Sequence, residues 1–325
     1  MVDKKLIAVV GATGGQGGGL ARAILDDPQG KFGCRALTRD PGSDAARALR
    51  DRGADVVPAD LDDEDSLAAA FDGAYGAFCM TNFFEHFSAS RETEQAEKLA
   101  RAAKASGVRH AIWSTSPDSR HWVSPDGRPL PALADGYRVP HWDGKAQGNR
   151  FFTDQGVATT FLLPAMFWEN LFMPGAPQQL QRGGDGVLAI SLPAADAKLP
   201  GIAAEDIGRC AYGILQAGAN LVGKTVGVAA EALTAAQLAT AVSEALGEEV
   251  RCDELPLAAV RAAPFPGAAA VANMFQITTE TNDDYCANYD IGLTRSLNPR
   301  LRTLREWLAA TAPAVPTVTT SVGAR

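Results

Sequence analysis

No stretch of this chain approaches the roughly 18 consecutive apolar residues that a membrane-crossing helix needs, so no transmembrane span is expected. Lys4 and Lys5 are not followed by a leader-type apolar segment before the first strand-like run, which makes the cytoplasm the expected location. Histidine is scarce. His86, His110, His121 and His141 are the four present, none pairs with another at i, i+4, and no metal is expected. The five cysteines (Cys34, Cys79, Cys210, Cys252, Cys286) include no C-x-x-C, so reduced thiols are expected rather than a disulfide framework. Positive charge is in deficit, with 30 Lys and Arg against 38 Asp and Glu and a net charge of −8. An acidic chain without a basic stripe is not a direct nucleic-acid binder. Tyrosine is also sparse, and none of Tyr75, Tyr137, Tyr212, Tyr285 and Tyr289 has Lys four residues on.

What is present is ordinary for a globular chain, 46% hydrophobic and 21% charged over 325 residues. One stretch organises the rest. An apolar run from Leu6 to Val10 reads as a buried strand and stops at six glycines between Gly11 and Gly19. A helical pattern with Leu20, Ala23 and Ile24 on one face follows. Strand, glycine turn and helix together present backbone N–H groups to a phosphate. Gly11 permits the sharp turn, Gly14 admits a pyrophosphate close to the backbone, and Gly17 lets the helix pack on the strand. The spacing G-x-x-G-x-x-G resembles that of extended short-chain dehydrogenase/reductases.

The first half alternates strand and helix. Strands are expected at 33–38, 54–60, 75–80, 110–114 and 159–163, with helices at about 43–52, from Asp62, at 91–106 and at 142–155. That pattern predicts an α/β fold, a doubly wound parallel sheet of six strands with the cofactor across the switch point. Residues 116–140 are rich in Pro, Asp, Ser and Gly and read as a long loop. The second half is less regular and implies a smaller α/β C-terminal lobe, with a strand at 225–230 and a helix at 234–245 capped by Thr234. The expected division is a Rossmann domain over 1–165 with contributions from about 201–230. A substrate or partner lobe is expected over 166–200 and 231–312, and a flexible tail over 313–325.

Arg39 stands 22 residues after Gly17, at the end of the second strand, where an acid would grip the ribose 2′-hydroxyl of NAD and an arginine the 2′-phosphate of NADP. NADP(H) is therefore the expected cofactor, with a solvated surface arginine as the alternative. Asp60 and Leu61 fall at the adenine edge, and Thr81 and Asn82 near the ribose and phosphates. Asp62 reads equally as a helix cap.

Where the common Tyr-x-x-x-Lys would stand, the chain has His141-Trp142-Asp143-Gly144-Lys145. His141 and Lys145 share one helix face. Lys145 can hold the nicotinamide ribose. His141 reads either as a general acid or as a packed or solvated histidine. Ser114 and Ser116 can polarise a carbonyl or simply close a turn.

Taken together, Val10–Gly17, Thr38-Arg39-Asp40-Pro41, Thr81-Asn82-Phe83-Phe84-Glu85, Val139–Lys145, Phe167-Trp168-Glu169-Asn170-Leu171, Ala272-Asn273-Met274-Phe275 and Leu297-Asn298-Pro299 resemble the NmrA-like group of atypical short-chain dehydrogenase/reductases over about residues 5–310. The resemblance implies a Rossmann domain that binds NADP(H). It assigns Thr13, Gln16, Arg39, Asn82 and Lys145 to the cofactor, and Pro164 and Phe167 to the nicotinamide end. The chain departs from the group at Glu94-Gln95-Ala96, where many members carry Lys before Gln-Gly, and in the few basic residues after Arg39.

Two functions compete. One is an NADPH-dependent reductase of a small carbonyl, enone, quinone or imine, with Phe83, Phe84, Phe87, Phe167, Trp168 and Phe172 as a pocket lining or as interface core. The other is a non-catalytic NADPH redox sensor acting through a protein partner. A homodimer is left open.

Overall fold

The computed structural model describes residues 4–313 apart from 121, 123, 125, 128–129, 134–135, 174–178 and 195. Most of the expected tail and part of the loop over 116–140 lie outside the described residues. In the first half the order is β1 (Lys5–Val9), α1 (Gln16–Leu25), β2 (Phe32–Thr38), α2 (Asp44–Asp51), β3 (Asp55–Pro58), α3 (Glu64–Phe71), β4 (Gly76–Cys79), α4 (Ala89–Ala105), β5 (His110–Ser114), α5 (Pro140–Asp154) and β6 (Thr159–Pro164). The second half supplies β7 (Met166–Phe167), β8 (Gln181–Arg182), β9 (Leu188–Leu192), β10 (Leu199–Ile202), α6 (Ala204–Ala217), β11 (Thr225–Val228), β12 (Glu231–Leu233), α7 (Ala235–Leu246) and β13 (Val250–Glu254). Five helices then close the chain: α8 (Leu257–Arg261), α9 (Ala268–Glu280), α10 (Asn282–Ala287), α11 (Ile291–Leu297) and α12 (Leu304–Thr311).

Local chemistry sets the helix starts. Ser43 Oγ accepts from Ala46 N–H at the head of α2, and Ser88 Oγ from Arg91 N–H at α4. Thr234 and Gln237 form a capping box on α7. At α3 the cap is Asp63, whose carboxylate accepts from Asp65 and Ser66 N–H. Asp62 is instead held by Arg91 and Gln95 of α4, so the reading of Asp62 as the cap is corrected by one residue.

The main sheet is parallel throughout, in the order β3-β2-β1-β4-β5-β6-β11. It has seven strands where six were expected, because β11 returns to pair with β6, Val226 opposite Leu162. β1 alternates in the period-2 manner. Ile7 and Val9 face a core shared with Leu20 and Ile24 of α1 and Ile207 and Ile214 of α6. Ala8 and Val10 face the other core, with Leu67 and Phe71 of α3, Leu99 of α4 and Phe152 of α5. Helices thus cover both faces.

Glycines let the layers close. A Cβ on Gly19 of α1 would lie 2.3 Å from Glu205 O, and one on Gly208 of α6 would lie 2.2 Å from Leu20 N. The last glycine of the N-terminal cluster, Gly19, therefore serves the packing of α1 on α6.

The smaller C-terminal region carries two three-stranded sheets, β12-β10-β7 and β13-β9-β8. Trp168 and Trp307 meet there, their rings 6.0 Å apart.

Candidate functional site

The carboxyl ends of β1 and β4, where the strand order reverses, form the crevice in which this fold places ligands. Gly11 opens the turn after β1 at φ +65°, a left-handed conformation that favours glycine. Gly14 N–H donates to Gly11 O at 2.9 Å. A Cβ on Gly17 would stand 2.4 Å from Val10 O, so the helix can approach the strand only as glycine allows. No side chain caps the N-terminus of α1 at Gly15, which leaves that helix end to an anion. Thr13 is exposed on the turn, and Gln16 Oε1 accepts from Ser114 Oγ at 2.9 Å, tying the turn to the end of β5. This cradle fits a dinucleotide pyrophosphate.

On the β2 side, Arg39 is exposed and grips Glu85 with both nitrogens, Nη1 to Oε2 at 2.9 Å and Nη2 to Oε1 at 3.0 Å. Asn82 Nδ2 donates to the same Glu85 Oε1 at 3.2 Å. Asp60 follows β3, and its Oδ1 accepts from Asp62 N–H at 2.9 Å. Leu61 packs half-buried against the α3–α4 core.

On the β4 side, Thr81 is buried and Lys145 reaches it from α5. Lys145 Nζ donates to Thr81 O at 2.6 Å and to Thr81 Oγ1 at 2.8 Å, and stands 2.7 Å from Glu92 Oε1. Thr81 Oγ1 donates to Glu92 Oε1 at 2.6 Å. Glu92 of α4 is wholly buried, a site residue that sequence reading missed. Its signal was Gly144, which lets α5 come close to α4 at that point. A Cβ there would sit 3.2 Å from Glu92 Cβ and Cγ. Glu92 Oε2 lies 3.5 Å from His86 Nε2, and neither atom has a hydrogen-bond partner. His86 Nδ1 accepts from Ser88 N–H at 3.1 Å, which puts the proton of a neutral ring on Nε2, toward Glu92.

His141 sits one helical turn before Lys145. Its ring lies 5.9 Å from Phe83 and 5.5 Å from Phe84. Burial, and next the Lys145 cation, push its pKa down to about 4. At pH 7 only about one ring in a thousand carries the charge a strong general acid needs. Between the two helix residues, Asp143 is buried and staples the preceding loop. Its oxygens accept from Ser119 N–H and Oγ and from Arg138 and Val139 N–H, all within 3.0 Å.

Pro164 ends β6 beside Val228, and Phe167 of β7 packs half-buried on the main core. Ser116 is half-buried. The expected aromatic lobe divides in two. Phe83, Phe84 and Phe87 cluster with His141, with Phe84 and Phe87 more than half exposed. Trp168 and Phe172 pack instead on Trp307 in the C-terminal region. Phe87 holds φ +52°, uncommon for an aromatic residue.

Comparison with known proteins gives the same fold and a family. The NmrA-like family matches residues 3–308. The NmrA-like family domain-containing oxidoreductase FrzB of Cladobotryum sp is 40% identical over 116 residues, covering 34% of this chain and 34% of FrzB. The match thus spans about a third of that relative. The oxidoreductase ptmS of Penicillium ochrochloron is 27% identical over 338 residues, covering 94% of this chain and 97% of its own. Among solved structures, NmrA, a negative transcriptional regulator, in complex with NADP superimposes with a TM-score of 0.75 at 22% identity, covering 96% of each chain.

Proposed function

The chain belongs to the NmrA-like family, and from that premise we propose that it is an NADP(H)-dependent oxidoreductase that reduces a small carbonyl, enone, quinone or imine. The observation that carries the reading is Lys145 of α5, whose Nζ is held against the Thr81 carbonyl just past β4, a strand that borders the switch point. The oxidoreductase relatives FrzB and ptmS support it. So does the solved NmrA complex with NADP, as a matter of fold.

In this reading the α1 N-terminus with Gly11, Gly14 and Gly17 holds the pyrophosphate, Thr13 and Gln16 line it, and Arg39 holds the adenosine ribose phosphate. Asp60 and Leu61 border the adenine. Lys145 and Thr81 hold the ribose toward the nicotinamide, Asn82 lies near the ribose and phosphates, and Pro164 and Phe167 stand at the ring. When bound, NADPH supplies the hydride. Glu92 keeps Lys145 in place, and the Phe83–Phe84–Phe87 cluster gives the acceptor an apolar side. A neutral His141 donates a hydrogen bond rather than a proton, so the proton that balances the hydride comes from solvent. That favours acceptors whose carbon is already electron-poor, an iminium, quinone or enone, over a simple ketone that needs a strong acid.

The same neutral His141 favours a second reading, a non-catalytic NADPH sensor acting through a protein partner. NADPH consumption over aldehydes, enones, quinones and imines separates the two. The control is Lys145→Ala, made with and without Glu92→Gln so that loss of fold and loss of chemistry can be told apart. Turnover in the native chain that vanishes in the folded double variant is the expected result. Tight NADPH binding with no turnover on any acceptor would sink the reductase reading and leave the sensor.

A further inference from the structure

The inference concerns Glu85 and rests on the dinucleotide-binding reading above. Arg39 follows β2, and Glu85 closes the 3-10 turn Phe83–Glu85 after β4. β1 lies between those two strands, so the Arg39–Glu85 pair spans the carboxyl end of β1. Glu85 takes the guanidinium with both oxygens, at 2.9 and 3.0 Å, and Asn82 Nδ2 donates to the same Oε1 that Arg39 Nη2 reaches, at 3.2 Å. Those two nitrogens are the fork with which an arginine grips a phosphate.

A carboxylate at that point acts oppositely on the two dinucleotides. It accepts a hydrogen bond from a ribose 2′-hydroxyl, the contact that an acid supplies in NAD sites. It repels a 2′-phosphate and competes with it for the arginine. The other arginines nearby are engaged elsewhere, Arg91 by Asp62. Arg47 is held by Asp44 and Gly42 O, and Arg50 Nη2 donates to Pro41 O at 3.2 Å.

We propose that Glu85 is a specificity-determining residue: its ion pair with Arg39 must open before a 2′-phosphate is gripped, and this narrows the chain's preference for NADP(H) over NAD(H). Glu85 is a surface residue, its side chain 46% exposed, so its variants retain the fold.

The test is the dissociation constant of NADPH and of NADH, read by nucleotide fluorescence, for the native chain, Glu85→Gln, Glu85→Ala and Arg39→Gln. Both Glu85 variants are expected to bind NADPH about three- to tenfold more tightly, the scale of an exposed ion pair plus one repulsion removed. NADH binding should stay level or weaken. In the Arg39→Gln background the Glu85 effect on NADPH should shrink to the part due to repulsion alone, because the competition for the guanidinium is gone. Binding of both nucleotides with an NADPH-to-NADH ratio unchanged in the Glu85 variants overturns the inference alone. A native chain that binds neither nucleotide overturns the dinucleotide reading, and the inference falls with it.

Discussion

Glu92 Oε1 and Lys145 Nζ stand 2.7 Å apart, the carboxylate without exposed surface and the lysine side chain only 16% exposed. The pair joins α4 to α5 beside the end of β4. A buried charge that loses its partner costs more than the pair contributes.

Lys145→Met alone is therefore expected to lose about 3–5 kcal/mol of stability, and Lys145→Met with Glu92→Gln to recover much of it. Urea unfolding of the two single variants and the double variant closes the cycle. Strictly additive losses would show that the two residues do not depend on each other.

His141 predicts a pH dependence. Its folded-state pKa near 4 lies below the ordinary 6.5, so the folded chain favours the neutral ring. The contribution is complete above about pH 6.5 and is lost as pH falls from there toward 4. It amounts to no more than about 3 kcal/mol, reduced by solvent at this half-buried site. His141→Gln should flatten the fall in Tm between pH 7 and pH 5. An identical fall in the variant would place the acid sensitivity elsewhere.

Asp143→Asn turns at least one of the four accepted hydrogen bonds into a donor–donor contact and removes the charge from the others. A loss of about 2–3 kcal/mol is expected, given the strength of bonds to a charged acceptor. The amides of Ser119, Arg138 and Val139 should exchange their hydrogens faster while β1 and β4 keep theirs. Equal protection at those amides would remove Asp143 as their anchor.

Gly17→Ala forces a methyl to within 2.4 Å of Val10 O and 2.5 Å of Gly11 O, both backbone atoms. The turn must shift, at about 1–3 kcal/mol. Thermal unfolding checks the loss, and NADPH affinity should fall by more than tenfold. Gly14→Ala, whose Cβ has room at 3.4 Å from Gly11 O, should unfold close to native. Equal destabilisation by both variants would contradict this account.

The glycine turn and the seating of His141 and Lys145 on one helix were legible because local spacing decides them: a φ of +65°, a strand–helix contact, an i, i+4 pair. Arg39 was legible as a position but not as half of an ion pair, since its partner Glu85 comes from beyond β4, and only the strand order brings the two together. Glu92 was hidden among charged neighbours in Arg91–Lys98, where nothing local marks one acid as buried. Its burial follows from the close approach of α5 at Gly144. The strand at 225–230 was legible as a strand and as part of the Rossmann domain, but not as the sheet's seventh member, because β11 begins 61 residues beyond the end of β6 (225 − 164) and is tied to the sheet only by non-local pairing. Tertiary contacts, not propensity, decide such elements.

The measurement that tests the account most directly is a calorimetric titration of NADPH into the native chain and into the Lys145→Met, Glu92→Gln double variant, with both shown to be folded. The account predicts saturable one-site binding by the native chain and affinity at least tenfold weaker in the double variant. A native chain that takes up no NADPH, or a folded double variant that binds it as tightly as the native chain, would contradict the assignment of the β1–β4 crevice and Lys145 to the dinucleotide.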